Sequence, residues 1–484
     1  MDALCKDALA MTEAAEAEAA VDVFTGSENL PRDEKEWSRV FAKWLNDKAC
    51  FVPEEKGWRS WDGRHWAKDG DTQAVKRLCK QFVDELIIYA QKCPGLEGDA
   101  RKRFVDHANK YNKLNEREKL IKDAQCEVTV MHSRFDGKPE LLNVLNGVYN
   151  LESFTFTPGH NPGDYIGQLA PVEYDQDAQC EEWERFMRDS IGDKETIAFV
   201  QTIFGLALTS ITRDECFFIL QGPTRSGKST TVETIQTLLG SGNDGYSCAS
   251  DPSTFAPTRF PDGSKPTPDI ARLDGKRFVV TSEPPRGMLF NVALLKNLTG
   301  RDQITARNLD ENPIQYYPQF KLMMTCNALP QVNDMTIFDR ESVWVIPFGN
   351  HRARHQRDLT LRDRLTAPKS LSGILNWCLD GLRRYNETGL VPTQRVIDAT
   401  SEYRTQSDKL SLFLRDTLER AAHDSVTGTS LWEEYQSWCN SSGLNPGGKM
   451  TFFQDLRERG MMADTATISG KTFRNVVTGY RYIQ

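Results

Sequence analysis

The sequence has 484 residues, of which 39% are hydrophobic and 26% are charged, and its formal net charge is −8. This length is more than one hydrophobic core supports, so about three globular domains are expected. No apolar run reaches the ~18 residues that a membrane span needs, and the acidic N-terminus lacks the basic and apolar regions of a secretory signal. These features exclude a membrane protein and a secreted protein from the predictions.

The cysteines and the net charge narrow the class of protein further. Eleven cysteines are scattered along the chain without a C-x-x-C pair, which argues against a zinc site and favours the reducing cytoplasm. A negative net charge does not by itself indicate nucleic-acid binding. It is still compatible with a ring-shaped motor, because such a motor needs basic residues only along its channel.

Two regions precede the part of the chain that carries motifs. Residues 1–33 are acidic and rich in alanine, which predicts a disordered tail, with a short solvated helix as the alternative. Residues 34–190 are expected to form an α+β domain that begins with an amphipathic helix and continues into short strands. Three tryptophans of this domain fit either the core of a small β-rich module or a surface for stacking on bases: Trp58, Trp61 and Trp66.

The strongest local signal is a glycine-rich loop between a strand and a helix. The apolar run Phe217–Leu220 predicts a buried parallel strand, and apolar residues at helical spacing follow from Val232 onward. The loop fits G-x-x-x-x-G-K-[ST] at every fixed position, and a glycine-rich turn without a ligand is the weaker alternative. Its residues are the candidate nucleotide-binding residues: Gly222, Pro223, Thr224, Arg225, Ser226, Gly227, Lys228, Ser229 and Thr230.

Residue types explain what this loop does to a nucleotide. The glycines let the backbone bring its N–H groups close to phosphates, and the start of the following helix favours negative charge. Lys228 is expected to reach the β- and γ-phosphates of ATP, and Ser229 to bind Mg²⁺.

Two further strands end in polar residues. The strand that runs from Lys276 ends at Glu283, which could activate the attacking water or help to hold Mg²⁺, although an acid at a strand end is common. The strand that begins at Phe320 ends at Asn327, either a sensor of the γ-phosphate or a cap of the next turn. With a third strand over residues 343–348, the pattern predicts an α/β fold with a parallel sheet covered by helices.

Together these residues resemble the superfamily 3 helicases, and most closely the phage and plasmid primase-helicases, whose ATPase part is shared with the poxvirus primase-helicase. Residues 269–284 resemble the Walker B segment, residues 295–307 the B′ motif, and Cys326-Asn327 motif C. The resemblance implies an AAA+-like P-loop ATPase domain over residues 191–395. It also implies that Lys228 and Ser229 bind ATP and Mg²⁺, that Glu283 is the catalytic acid and a second Mg²⁺ contact, and that Asn327 is the sensor.

The same resemblance implies a ring of six subunits that moves along single-stranded DNA and opens forks in the 3′-to-5′ direction. A hairpin between the B′ motif and motif C would grip the strand, which makes Arg301 and Arg307 the DNA-contact candidates; both could instead be surface or nucleotide-site charges. The arginine finger that acts on a neighbour's ATP departs from the family position. Arg340 is the candidate, with Arg352 and Arg354 as substitutes.

Residues 396–484 resemble the winged-helix domain that ends the phage primase-helicases. Helices and a glycine-punctuated hairpin follow one another there, and the hairpin ends at Tyr482. Such a domain binds either DNA or protein. The DNA-facing candidates are the following basic residues of its third helix and its wing: Lys449, Arg457, Arg459, Lys471 and Arg474.

The sequence therefore predicts an ATP-dependent replicative DNA helicase of a phage, plasmid or other mobile element in a bacterial cytoplasm. No paired carboxylates in a suitable strand context precede the ATPase, so a primase or polymerase is expected as a separate partner. An alternative is a replication initiator or helicase loader that binds DNA without sustained unwinding. A small-molecule phosphotransferase is a weaker alternative, because it needs no ring hairpin.

Overall fold

The computed structural model describes most of the chain: residues 23–30, 32–257, 266–309, 311–349, 358–441, 444, 446–468 and 471–483. Most of the predicted acidic tail, and the candidates Arg352 and Arg354, lie outside the described residues. No helix within these ranges is both long enough and apolar enough to cross a bilayer.

The N-terminal unit combines helices with a small antiparallel sheet. Helix α1 begins after Asp33, whose carboxylate accepts a hydrogen bond from the Glu36 N–H at 3.0 Å. Trp37 and Phe41 on α1 are buried against Phe82 and its neighbours in a separate hydrophobic core. The elements of this unit are α1 (Glu34–Trp44), β1 (Ala49–Val52), β2 (Gly57–Trp61), β3 (Trp66–Asp69), α2 (Gln73–Lys92), α3 (Gly98–Lys110) and α4 (Leu114–Ala124).

A second antiparallel sheet and two helices follow: β4 (Leu141–Val144), β5 (Gly147–Asn150), β6 (Thr155–Pro158), α5 (Glu181–Ile191) and α6 (Lys194–Ala207). These elements do not form a core of their own. Tyr149, Trp183 and Phe186 belong to the same buried cluster as Phe218 and Leu220 of the central sheet. The two helices that precede the phosphate loop therefore share one hydrophobic core with the central sheet.

The central sheet has five parallel strands, which lie side by side in the order 343–347, 217–221, 321–326, 278–282 and 247–249. Their apolar side chains are buried on both faces, as expected for a parallel sheet that is covered by helices. The predicted parallel α/β sheet is confirmed. Its strands are β7 (Phe217–Gln221), β8 (Ser247–Ala249), β9 (Phe278–Ser282), β12 (Lys321–Cys326) and β13 (Val343–Pro347).

Helices and one hairpin connect these strands. The hairpin consists of β10 (Ile304–Ala306) and β11 (Ile314–Tyr316), paired antiparallel, so a hairpin lies where the sequence predicted it. The helices between the strands are α7 (Lys228–Leu239), α8 (Pro268–Ala271), α9 (Val292–Thr299) and α10 (Thr336–Asp339). Three helices follow the last strand: α11 (Leu361–Leu365), α12 (Pro368–Thr388) and α13 (Gln394–Ser407).

The C-terminal unit has its own core and a three-stranded antiparallel sheet in the order β14-β16-β15. Its elements run helix, strand, helix, helix, strand, strand: α14 (Lys409–Thr417), β14 (Leu418–Thr427), α15 (Gly428–Ser441), α16 (Lys449–Glu458), β15 (Met462–Ile468) and β16 (Lys471–Tyr482). The sequence predicted the helices and the last hairpin but missed β14.

A cluster of charged side chains joins the N-terminal unit to the turn before β9. The ring nitrogens of His132 lie 2.9 Å from Glu55 Oε1 and 2.6 Å from Asp274 Oδ2. Burial by itself lowers the pKa of His132, but hydrogen bonds to Asp274 and Glu55 outweigh burial and raise it to about 9. His132 is therefore a cation at neutral pH that bridges two carboxylates from different units.

This bridge predicts a pH dependence of stability. The folded-state pKa of His132 exceeds the unfolded value of about 6.5, so its contribution is complete below that pH and is lost as the pH rises through about 9. A shift of this size corresponds to at most about 3 kcal/mol. We expect the difference in unfolding free energy between wild type and His132→Gln, measured by urea unfolding, to shrink from pH 6 to pH 9.5. A difference that stays constant with pH would contradict the bridge.

Candidate nucleotide site

The phosphate loop is held closely by its surroundings at both glycines. The Gly222 N–H donates to the Cys326 carbonyl at 3.3 Å, and a Cβ at Gly222 would collide with the Phe348 carbonyl. Gly227 has a φ of +100°, and a Cβ there would lie 2.5 Å from Ser190 Oγ. Both positions therefore require glycine, one for a close approach and one also for its backbone conformation.

Lys228 is buried beneath this loop and is only 4% exposed. Its Nζ donates to the carbonyls of Gly222 at 2.7 Å and Pro223 at 2.9 Å, and to Asn327 Oδ1 at 3.1 Å. Burial lowers the pKa of Lys228, and the nearby charge of Glu283 opposes this shift. The ammonium group is thus desolvated and bound mainly to neutral acceptors, an arrangement that favours an incoming anion.

Asn327 connects Lys228 to Glu283. Strand β12 lies between β7 and β9 in the sheet. Asn327, which follows β12, therefore lies between the phosphate loop after β7 and Glu283 after β9. Asn327 Nδ2 donates to Glu283 Oε2 at 3.2 Å, and the Glu283 N–H donates to the Thr325 carbonyl at 2.9 Å. Three of the predicted site residues therefore lie in one hydrogen-bonded line at the carboxyl edge of the sheet.

The residues after Lys228 are open to a ligand. Helix α7 begins at Lys228, and Ser229 is exposed while Thr230 is half-buried. In the part of the chain that the structure describes, no group of three or more His, Cys, Asp and Glu side chains is arranged to hold a metal ion. Mg²⁺ in phosphate-transferring enzymes needs only one or two protein ligands besides phosphates and water, so Ser229 and Glu283 fit that role.

The predicted arginines do not join this line of residues. The carbonyl of Ser342 accepts a hydrogen bond from the Phe217 N–H at the start of β7. Arg340, two residues before Ser342, therefore lies towards the edge of the sheet where the strands begin, opposite the phosphate loop. Arg301 also lies near that edge, with its Nε 3.6 Å from Glu215 Oε1. Arg307 directly follows β10 on the hairpin. The roles of these arginines as finger and as DNA contacts stay predictions.

The tryptophans and the C-terminal arginines are largely engaged within the protein. Trp58 and Trp66 are each 2% exposed, which favours the core interpretation over stacking on bases. Arg457 lies 3.4 Å from Asp464, and Arg459 lies 2.8 Å from Asp408. The remaining basic candidates of that unit are exposed: Lys449, Lys471 and Arg474.

Sequence reasoning missed the residues that line the other sides of the loop. Ser190 on α5 contacts the position of Gly227, and Arg395 on α13 donates to Asp193 at 2.6 Å. Neither Asp193 nor Arg395 belongs to a motif, and these two residues are 202 positions apart in the sequence. No local pattern could have indicated that they meet.

Comparisons with known proteins agree with this arrangement of motifs. Residues 38–192 match the family described as D5 N terminal like, and residues 220–340 match a family of unknown function, DUF5906. The chain is 26% identical over 445 residues to "Putative helicase L207/L206" of Acanthamoeba polyphaga mimivirus, which covers 83% of this chain and 44% of the relative. The resemblance to superfamily 3 primase-helicases is confirmed.

A second viral relative is also matched over part of its length. "Putative helicase 121R" of Invertebrate iridescent virus 3 is 24% identical over 357 residues, which is 66% of this chain and 37% of the relative. The chain thus spans less than half the length of these curated relatives. Among solved structures, the NrS-1 C terminal region superposes with a TM-score of 0.44 at 10% identity, over 92% of this chain and 100% of that one. That similarity is too low to support conclusions about fold or function.

Proposed function

We propose that this chain is the motor of an ATP-dependent DNA helicase that serves the replication of a mobile element. The observation that carries the proposal is the hydrogen-bonded line from Lys228 through Asn327 to Glu283 beside a phosphate-binding loop. The viral relatives are named as helicases, which supports a helicase-like enzyme. The AAA+-like P-loop fold and the ATP-hydrolysing activity are parts of this proposal.

The loop and its neighbours supply what ATP and Mg²⁺ need. Lys228 would bind the β- and γ-phosphates, and the N–H groups at the start of α7 would bind phosphate oxygens. Ser229 and Glu283 would hold Mg²⁺, Glu283 through water. Bound Mg²⁺ neutralises charge that develops on the phosphate oxygens during transfer.

Glu283 and Asn327 would have different roles towards the attacking water. Glu283 accepts a proton from the water while the water oxygen bonds to the γ-phosphorus. The bond between the γ-phosphorus and the bridging oxygen of the leaving ADP breaks in the same step. Asn327 orients the Glu283 carboxylate through its Nδ2 donor and contacts Lys228 through its Oδ1 acceptor. Asn327 therefore joins the residue that binds the phosphates to the residue that prepares the water.

A ring explains the residues that lie away from this site. In a homo-oligomer, which the resemblance implies is a hexamer, Arg340 of one subunit would complete the ATP site of the next. The β10–β11 hairpin would face the channel, where Arg307 contacts one DNA strand and Leu309, which is 68% exposed, lies beside it. Movement of the hairpins with hydrolysis would draw single-stranded DNA through the ring in the 3′-to-5′ direction.

The C-terminal unit supports a role at the replication fork. We infer a winged helix from its order of helix, strand, helix, helix, strand, strand and from the sheet order β14-β16-β15, which support that fold. Three of its exposed basic residues, Lys449, Lys471 and Arg474, would contact duplex DNA through phosphates. A primase or polymerase would be a separate partner.

Fork unwinding with ATP and Mg²⁺ tests this function. Wild type is expected to separate a forked duplex and to hydrolyse ATP faster when single-stranded DNA is added. Arg307→Ala is expected to lose most of both effects while its DNA-free hydrolysis stays within about twofold of wild type, because Arg307 belongs neither to the phosphate loop nor to the hydrogen-bonded line from Lys228 to Glu283. Arg301→Ala serves as the matched comparison: it removes the same charge, and its effect should be smaller because Arg301 precedes the hairpin strand β10.

The possible results separate the candidate functions. DNA-stimulated hydrolysis without unwinding at any protein concentration would indicate an initiator or loader. Hydrolysis that DNA does not stimulate would contradict a DNA motor. Mass photometry of the same samples, with and without ATP, tests the hexamer.

A further inference from the structure

Two structural walls flank the phosphate loop, and they come from distant parts of the chain. One wall is the end of β13, where the carbonyl of Phe348 faces Gly222. The other is the C-terminal turn of α5, where Ser190 and Phe186 face Gly227. The second wall belongs to the region that matches the D5 N terminal like family, residues 38–192. The loop can keep its shape only if both walls stay in place.

Arg395 bridges these two walls. Its Nη1 donates to the Ile191 carbonyl at 2.7 Å and to Asp193 Oδ2 at 2.6 Å, immediately after the wall formed by α5. Its Nη2 lies 3.5 Å from the carbonyl of Pro347, the last residue of β13. One planar guanidinium thus contacts acceptors on both sides of the loop, a geometry that lysine cannot reproduce.

Neighbouring contacts fix the acceptors of Arg395. The Asp193 carboxylate also accepts from the Thr196 N–H at 2.7 Å and so caps helix α6. Burial raises the pKa of Asp193, but hydrogen bonds from Thr196 and Arg395 outweigh burial and hold that pKa below its ordinary value. The carbonyl of Ile191 is one of the unpaired carbonyls at the end of α5, which a cation satisfies well. A second link, Thr196 Oγ1 to Thr393 Oγ1 at 3.1 Å, keeps α13 beside α6.

The exposure of the pair indicates what it contributes. The side chains of Arg395 and Asp193 are 37% and 39% exposed, and ion pairs with that exposure add little to global stability. Their location at the junction of both walls makes a local effect on the loop more important than a global one.

We propose that Arg395, with Asp193, is a positioning pair that holds the α5 wall against the phosphate loop and thereby sets the affinity for a nucleoside triphosphate. Arg395 acts through the loop and does not touch the reacting atoms. The inference rests on the proposed ATPase function. It assigns to the N-terminal region a direct part in nucleotide binding, through the turn between α5 and α6.

Steady-state kinetics test this positioning role. Without the bridge, the loop spends less time in its binding shape, and the apparent affinity falls by the same factor. We expect Arg395→Ala to raise the KM for ATP about tenfold while kcat stays within about threefold of wild type. Arg395→Lys should lie between the two. Asp193→Asn should raise the KM less than Arg395→Ala does, because the contacts of Arg395 to the Ile191 and Pro347 carbonyls remain. The double variant should be no worse than Arg395→Ala, because that substitution already removes the contact to Asp193.

Arg384→Ala is the matched control. Arg384 also donates to α6, at the Ala198 carbonyl and at Gln201 Oε1, but its contacts lie along the middle of the helix. This variant should keep the KM of wild type. A strong loss of kcat in Arg395→Ala at unchanged KM would indicate direct contact with the reacting phosphate and would overturn the positioning role. Unchanged constants in all variants would also overturn it.

Hydrogen exchange without nucleotide separates this inference from the proposed function. Residues 186–193 and 222–230 should exchange several-fold faster in Arg395→Ala than in wild type or Arg384→Ala. If wild type hydrolyses no ATP, the proposed function fails, and the exchange rates alone decide whether the bridge holds the loop. Equal exchange in these segments would overturn the bridge even if the enzyme is active.

Discussion

Replacing Lys228 by methionine is expected to lower ATP hydrolysis and DNA unwinding by roughly 10³-fold. Lys228 is buried under the loop, and its Nζ is the cation at one end of the hydrogen-bonded line. Methionine keeps the length and the apolar stem of lysine but provides no charge for the phosphates. Binding of a fluorescent ATP analogue should weaken together with the rate.

Stability should change little in Lys228→Met, because two effects oppose each other. Burial penalises the Lys228 ammonium, as its lowered pKa indicates, and methionine removes that penalty. The carbonyls of Gly222 and Pro223 lose a donor, which costs about 1–3 kcal/mol for a buried group. Thermal unfolding should therefore shift by only a few degrees.

Lys369→Met provides the control for loss of one positive charge. Lys369 is exposed near the start of α12, and its replacement should leave hydrolysis and unwinding within about twofold of wild type. If Lys228→Met kept more than a tenth of the wild-type rate, the loop would not be the ATP site.

The central sheet was predictable because its strands carry their own signals. The run Phe217–Leu220 is continuously apolar, and it precedes a loop whose glycines are needed for close contacts. Because parallel strands end at one edge, the residues after β7, β9 and β12 had to meet there. Lys228, Glu283 and Asn327 do so in the structure.

Strand β14 was not predictable for the opposite reason. Its sequence, LERAAHDSVT, is polar and has no alternating pattern, and its register shifts between Arg420 and Ser425. The strand is defined by its partner β16, where Leu418 pairs with Tyr482. This contact joins residues 64 positions apart, so the pairing, and not local preference, decides the structure.

The residues that flank the phosphate loop were not predictable from the sequence either. Motif residues are recognisable because the chemistry of phosphate binding restricts them to particular types and spacings. The bridge from Arg395 to Ile191, Asp193 and Pro347 uses two carbonyl acceptors and one ordinary salt bridge, which any sequence could supply. Only the packing of α6 against α12 and of α13 against β13 brings these groups together.

Replacing Glu283 by glutamine is expected to lower hydrolysis by roughly 10²–10⁴-fold while leaving the affinity for ATP within about threefold of wild type. Glutamine has the same shape and its side-chain oxygen can still accept from Asn327 Nδ2, so the line of hydrogen bonds is kept. It cannot accept a proton from water. The variant should therefore accumulate bound ATP, which quench-flow analysis of a single turnover detects as substrate that binds but is not cleaved.

Asn327→Ala separates orientation of the carboxylate from its basicity. This variant keeps the Glu283 base but removes the donor that holds Oε2 and the acceptor that contacts Lys228. Its rate should fall about tenfold, less than that of Glu283→Gln, since the carboxylate still samples the productive orientation. Equal losses in the two variants would mean that Asn327 takes part in the reaction directly. A Glu283→Gln variant that hydrolyses ATP at the wild-type rate would move the general base to another residue.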